Sequence, residues 1–133
     1  MNKLGKRDPK IYGKETLSDI ESSMKKLGEA KGFVLDFFQS NSEGDIIDKI
    51  HEYQDYNGII LNAGAYSHYS IAIRDAIEIA TCPVIEVHLS NIYKREDFRK
   101  TSVISEVCLG QITGFGSLSY IMAIEAFARI FNE

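Results

Sequence analysis

Four short apolar runs, each separated from the next by a polar or helix-patterned stretch, constrain the fold of this chain more than anything else in it. They lie at 33–38, 58–62, 84–89 and 107–113. The first is rich in aromatic residues, and the second is nearly continuous, as a strand covered on both faces is. Residues 16–30 carry Leu17, Ile20, Met24 and Leu27 at steps of three and four, which predicts an amphipathic helix with Thr16 near its N-cap. Ser40, Asn41 and Ser42 offer caps for a second helix through Ile46, Ile47 and Ile50. A third helix follows through Ile71, Ile73, Ala76, Ile77 and Ile79, and a last one spans 117–132. The charged stretch 90–101 has room for a short helix around Arg95 to Arg99. Strands alternating with crossover helices imply a parallel sheet with helices on both faces and right-handed connections. Residues 1–15, with their lysines, two glycines and one proline, read as a loop. That start is unusual, because an open α/β fold normally begins with a strand.

Composition narrows the class. A chain of 133 residues fits one domain, 1–133, and 44% hydrophobic content is enough for a packed core. Fifteen Lys and Arg against 19 Asp and Glu give a net charge of −4, with no footprint for nucleic acid or an anionic membrane. No apolar stretch approaches the roughly 18 residues of a membrane span, and the polar start offers no secretory signal. Cys82 and Cys108 form no CxxC, so neither a zinc site nor a disulfide framework follows. The chain reads as a soluble, cytoplasmic domain.

In open parallel sheets, ligands bind beyond the carboxyl ends of the strands. After 58–62 come Asn62, Tyr66, Ser67 and His68; around the end of 84–89 come Glu86, His88, Ser90 and Asn91, then Arg95 and Arg99. The opening loop adds Arg7 and Tyr12 if it follows a strand. Each residue also has a plain structural reading. His68 could cap a turn, and His88 and Glu86, two apart on one strand face, could be a satisfied buried pair. Arg95 and Arg99 could be a solvated basic face, Tyr12 could be packing, and His51, in mid-helix, reads as a surface residue. Their convergence on one rim points to a polar pocket for an anionic small molecule. There is no GxxxxGK[ST] and no GxSxG, and the pair Gly114-Phe-Gly116 is a weak phosphate signal. Two isolated histidines make a poor metal site.

Five blocks, taken in order, are similar to one known family. They are Leu4-Gly-Lys-Arg-Asp-Pro-Lys-Ile-Tyr-Gly13, Phe38-Gln-Ser-Asn-Ser-Glu-Gly44, Ile60-Leu-Asn-Ala-Gly-Ala-Tyr-Ser-His68, Ile85-Glu-Val-His-Leu-Ser-Asn91 with Arg95-Glu-Asp-Phe-Arg99, and Gly110-Gln-Ile-Thr-Gly-Phe-Gly116. Together they resemble the type II 3-dehydroquinate dehydratases over nearly the whole chain. The resemblance implies a flavodoxin-like three-layer α/β/α fold and elimination of water from 3-dehydroquinate to give 3-dehydroshikimate, a step of the shikimate pathway, with no metal or organic cofactor. By the same resemblance Tyr12 is the base that takes a proton from the carbon beside the ketone, and Arg7 is the arginine on the same mobile lid. His88 is the general acid, with Glu86 its orienting partner. Asn62, Leu89, Ser90 and Arg99 hold the substrate, the backbone of Leu89 and Ser90 gripping its carboxylate. His68 and Arg95 line the pocket, and Asp75 reaches into a neighbouring subunit's site. Family members form trimers that assemble into dodecamers.

Elementary chemistry makes these roles reasonable. A phenol of pKa about 10 is a poor base at neutral pH, and a nearby guanidinium favours the phenolate. Fixed hydrogen-bond donors near the developing enolate lower the barrier. An imidazole can supply a proton at pH 7 once a second group fixes its tautomer. A guanidinium such as that of Arg99 matches a carboxylate bidentately.

One departure stands out. The family begins with a strand ending in Gly-Pro-Asn just before the Leu-Gly-Lys-Arg segment, whereas here Met1-Asn2-Lys3 precedes it. In the flavodoxin-like order that first strand is central, between 33–38 and 58–62, so the expected fold is one whose first strand is absent from the chain. A shortened chain begun at an internal methionine and a variant whose sheet closes differently are the two explanations. Either leads to the expectation of impaired turnover, and to the alternative function of a flavodoxin-like binding or assembly module that keeps the anion pocket.

Overall fold

The computed structural model describes residues 15–132, so Arg7 and Tyr12 lie outside the described residues. Helix α1 spans Leu17–Lys31 and starts as its sequence dictates. Thr16 accepts from the Asp19 N–H at 3.2 Å while the Asp19 carboxylate accepts from the Thr16 N–H at 3.0 Å, a reciprocal cap. Gly32 closes the helix at φ +81°, a left-handed conformation that glycine adopts without steric cost. Helix α2 (Glu43–Glu52) is capped by Ser42, and α3 (Ile71–Ile79) by Ser70, whose hydroxyl accepts from the Ile73 N–H. Strands β1 (Ile59–Leu61), β2 (Val84–His88) and β3 (Gly110–Thr113) and helix α4 (Leu118–Phe131) complete the order. Among the described residues no helix is long and apolar enough to cross a membrane.

The three strands pair in parallel in the order β1-β2-β3, with Leu61 opposite Glu86 and Glu86 opposite Gln111. β2 is buried along its whole length. Its odd-numbered side chains, Ile85 and Val87, join Ile20, Met24, Tyr120, Ile124 and Phe127 in a core under α1 and α4. Val84, at the start of β2, joins Ile50, Ile73, Ala76, Ile77 and Ile104 on the opposite face, under α2 and α3. The layers are therefore helix, sheet, helix, and the parallel α/β architecture agrees with the alternation read from the sequence.

Several expectations shift. The segment 33–38 is not a strand: its side chains alternate, with Phe33, Leu35 and Phe37 turned toward the core and Val34 94% exposed, yet no described backbone pairs with it. A ladder needs a partner, and apolar alternation supplies only half of one. β1 is half-buried rather than covered on both faces. β3 starts at Gly110 and not at residue 107, because Ser105–Val107 turn into a single 3₁₀ loop. Residues 95–99 give no α-helix, and the stretch holds two 3₁₀ turns instead, Ile92–Lys94 and Asp97–Lys100.

Close packing in the first core makes one position sensitive. A Cβ on Gly58 would stand 2.8 Å from Cζ of Phe127, whose ring is stacked on Phe131 with centroids 5.3 Å apart. Gly58→Ala is expected to destabilise the fold by about 1–3 kcal/mol through overpacking. A lower urea midpoint with an unchanged slope is the measurement that checks it.

Candidate active site

An open cavity of about 1160 Å³ runs along β1 between the sheet and the segment 33–39, lined on the way by Ile20, Met24, Ile124 and Phe127. It reaches the carboxyl ends of β1 and β2, where a parallel sheet presents its ligand site. Asn62, His68, His88, Leu89, Ser90, Arg95 and Arg99 all line it. The cavity wall thus includes seven of the eleven residues to which the family resemblance gives a role. Glu86 stands directly behind this lining. Asp75 sits exposed on α3 and does not line the cavity, and His51 is exposed on α2 as expected.

Asn62 follows the end of β1. Its amide nitrogen donates to the Tyr120 hydroxyl at 2.9 Å and its Oδ1 accepts from the Gly64 N–H at 3.0 Å, so the side chain is held at both ends. The turn Gly64–His68 follows, entered through Gly64 at φ +57°. It delivers His68 with Nδ1 2.8 Å from the carbonyl of Thr101. A carbonyl can only accept, so that nitrogen carries the proton and Nε2 is the basic one. The ring lies nearly parallel to that of His88, with centroids 6.2 Å apart.

β2 delivers the central pair. Glu86 and His88 are two residues apart, so they share a strand face, and they are 0% and 5% exposed. His88 Nε2 lies 2.5 Å from Glu86 Oε2. The other carboxylate contacts are hydroxyl donors, Ser105 at 2.5 Å and Ser102 at 2.9 Å. Burial pushes the Glu86 carboxyl up, but the hydrogen bonds from His88, Ser105 and Ser102 together with the imidazole charge outweigh it and hold the group below its ordinary value. Glu86 is therefore ionised at neutral pH and His88 Nε2 donates to it. Past His88 the chain bends, and the bend is pinned by the Gly116 N–H on the Leu89 carbonyl and the Thr113 hydroxyl on the Ser90 carbonyl, both at 2.9 Å.

The two arginines arrive on the 3₁₀ segment. Arg95 Nη1 is 3.4 Å from the Ser90 hydroxyl. Arg99 Nε donates to Glu96 at 2.5 Å, and its guanidinium sits 4.9 Å from the centre of the Phe98 ring. An ionised buried Glu–His pair, a second imidazole and two guanidiniums on one rim can bind a small anion and move a proton to or from it.

Four residues around the site escaped the sequence reading: Ser102, Ser105, Gln111 and Tyr120. The Tyr120 hydroxyl is pushed up to about 12 by burial, against the opposing hydrogen bond from Asn62, so it stays a neutral phenol. Gln111, a polar residue beside Ile112 in a short strand, was the one available signal. The serines carry none, since isolated loop serines have no periodicity.

Comparison with known proteins gives the family. The family model described as dehydroquinase class II matches residues 1–128. A 3-dehydroquinate dehydratase of a Nitratiruptor species is 55% identical over all of this chain and 86% of its own length. The 3-dehydroquinate dehydratase of Bacillus cereus (strain AH820) is 54% identical over all of this chain and 92% of its own. The crystal structure of type II dehydroquinase from Propionibacterium acnes superposes with a TM-score of 0.92 at 38% identity, over 96% of this chain and 89% of that one. A family model spanning almost the whole sequence, relatives above half identity and a superposable fold lead to one conclusion: this chain belongs to the class II dehydroquinase family.

Proposed function

We propose that the chain is a 3-dehydroquinate dehydratase, removing water from 3-dehydroquinate in an anti sense, through an enolate, to give 3-dehydroshikimate in the shikimate pathway. The observation that carries the proposal is the buried, ionised Glu86 holding His88 at the wall of an arginine-lined cavity, in a chain of this family. Tyr12, made basic by Arg7, takes the proton from the carbon beside the ketone. Asn62, fixed by Tyr120 and Gly64, helps hold the substrate. Protonated His88 then gives its proton to the departing hydroxyl, the C–O electron pair leaves with oxygen, and water forms. Arg99 and the backbone of Leu89 and Ser90 hold the substrate carboxylate, while His68 and Arg95 line the pocket around it. Asp75, exposed on α3, serves a neighbouring subunit's site in a trimer, and trimers assemble into the dodecamer. The enzyme works in the cytoplasm as a single domain.

The test is to follow enone absorbance on adding 3-dehydroquinate to the chain. Steady growth supports the proposal. Binding detected by calorimetry with no enone formed would instead leave a module that keeps the anion pocket without turnover.

A further inference from the structure

Behind His88 the polar chain does not end at Glu86. The register places Gln111 of β3 directly opposite Glu86, so both side chains leave the sheet on the same face. Gln111 Nε2 donates to the Ser105 hydroxyl at 3.1 Å, and Ser105 donates to Glu86 Oε1 at 2.5 Å. Ser102 Oγ stands 2.9 Å from Oε2 and 3.1 Å from Oε1. An amide nitrogen has hydrogens and no acceptor, so Ser105 must accept from Gln111 and spend its own hydrogen on Glu86. Ser105 can therefore only donate to Glu86. An ionised Glu86 accepts from Ser105, Ser102 and His88 Nε2 at once, whereas a protonated one could place its O–H only on Ser102 or His88 and would lose a donor there. The loop that carries the serines is itself fixed. The Val103 N–H donates to the Ser67 carbonyl at 2.8 Å, Arg74 Nη1 donates to the Val103 carbonyl at 2.8 Å, and Ile104 is fully buried.

We infer that Ser102, Ser105 and Gln111 are positioning residues for the dehydration, a one-way relay of donors that keeps Glu86 a carboxylate and so keeps the hydrogen of His88 on Nε2, leaving Nδ1 as the nitrogen that exchanges a proton with the substrate. The inference rests on the dehydratase reading for its kinetic consequence, but not for its structural one. When the imidazolium gives its Nδ1 proton to the leaving hydroxyl, the ring returns to the neutral Nε2–H form that the relay already selects, so no tautomer change follows each turnover. The titratable groups facing Glu86 are His88 on its own strand and the Cys108 thiol, which burial and the Glu86 charge push up to about 12 and so keep neutral.

The experiment pairs kinetics with carboxyl-carbon NMR of Glu86 in the full chain. Ser105→Ala is expected to raise the pH at which the Glu86 resonance titrates and to lower kcat about tenfold with KM unchanged, as loss of one hydrogen bond to a charge implies. Ser105→Thr, which keeps the hydroxyl, restores both. Gln111→Met, at the half-buried outer end, moves both readouts the same way by less, and it carries the test if Ser105→Ala fails to fold. A Glu86 titration unmoved in folded Ser105→Ala, or in Gln111→Met where that variant alone folds, overturns the relay. If the unmodified chain does not form enone, the dehydratase reading falls, and the carboxyl titration together with the His88 ring ¹⁵N shifts still decides the relay by itself.

Discussion

On the proposed mechanism, replacing His88 with alanine is expected to lower kcat for 3-dehydroquinate dehydration by about 10²–10⁴-fold, the usual loss when a positioned general acid is removed. Hydroxide is a poor leaving group, and without the imidazole nothing else on the described wall is set to protonate it. Arg95 and Arg99 offer guanidiniums, which bind anions rather than give up protons, and Glu86 is an ionised acceptor. His68 lies one ring away, but its Nδ1 proton is committed to the Thr101 carbonyl. Affinity for the substrate should change little, because Asn62, Ser90 and Arg99 are untouched. A steady-state comparison with calorimetric binding checks both halves. A loss smaller than about tenfold would reduce His88 to part of the cavity wall.

The second large effect is on stability. Glu86→Ala is expected to cost about 3–5 kcal/mol, as breaking a buried charge pair from one side does. The carboxylate is fully buried, and its removal leaves the Ser102 and Ser105 hydroxyls and the His88 Nε2–H facing a void. The same residue makes stability depend on acid. Its folded pKa lies below the unfolded one, which is about 4.3. Its contribution is therefore complete above the unfolded pKa and is lost as pH falls through the folded one. Urea unfolding should show the midpoint of the unmodified chain dropping as pH is lowered below about 5, with a shallower drop in Glu86→Gln. Equal acid slopes in the two chains would remove Glu86 from the account of stability.

What the sequence disclosed follows the range of the interactions involved. α1 was readable to within a residue or two, and the start of α2 to one of three neighbouring caps, because their caps, Thr16 and Ser42, act three residues away. β2 was readable because Val84, Ile85, Val87 and Leu89 form a short β-branched and apolar stretch behind Pro83, interrupted only by Glu86 and His88. The segment 33–38 shows the limit: Phe33, Leu35 and Phe37 announce extended backbone, but pairing depends on chain far away in sequence. The same holds at the site. Glu86 and His88 were legible as an alternating polar pair, and Asn62 and His68 by their place at a strand end. Gln111 joined them only through the β2–β3 register, and Ser102 and Ser105 only through a loop folded back under the sheet.

The central claim is that a phenolate and an imidazole, Tyr12 and His88, divide the two proton transfers of one elimination. Enone formation from 3-dehydroquinate by Tyr12→Phe, set beside the unmodified chain and beside calorimetric binding of the same substrate, tests it most directly. The account predicts that the unmodified chain forms the enone and that the phenylalanine variant binds the substrate but forms almost none. A Tyr12→Phe chain that forms the enone at the unmodified rate would contradict it.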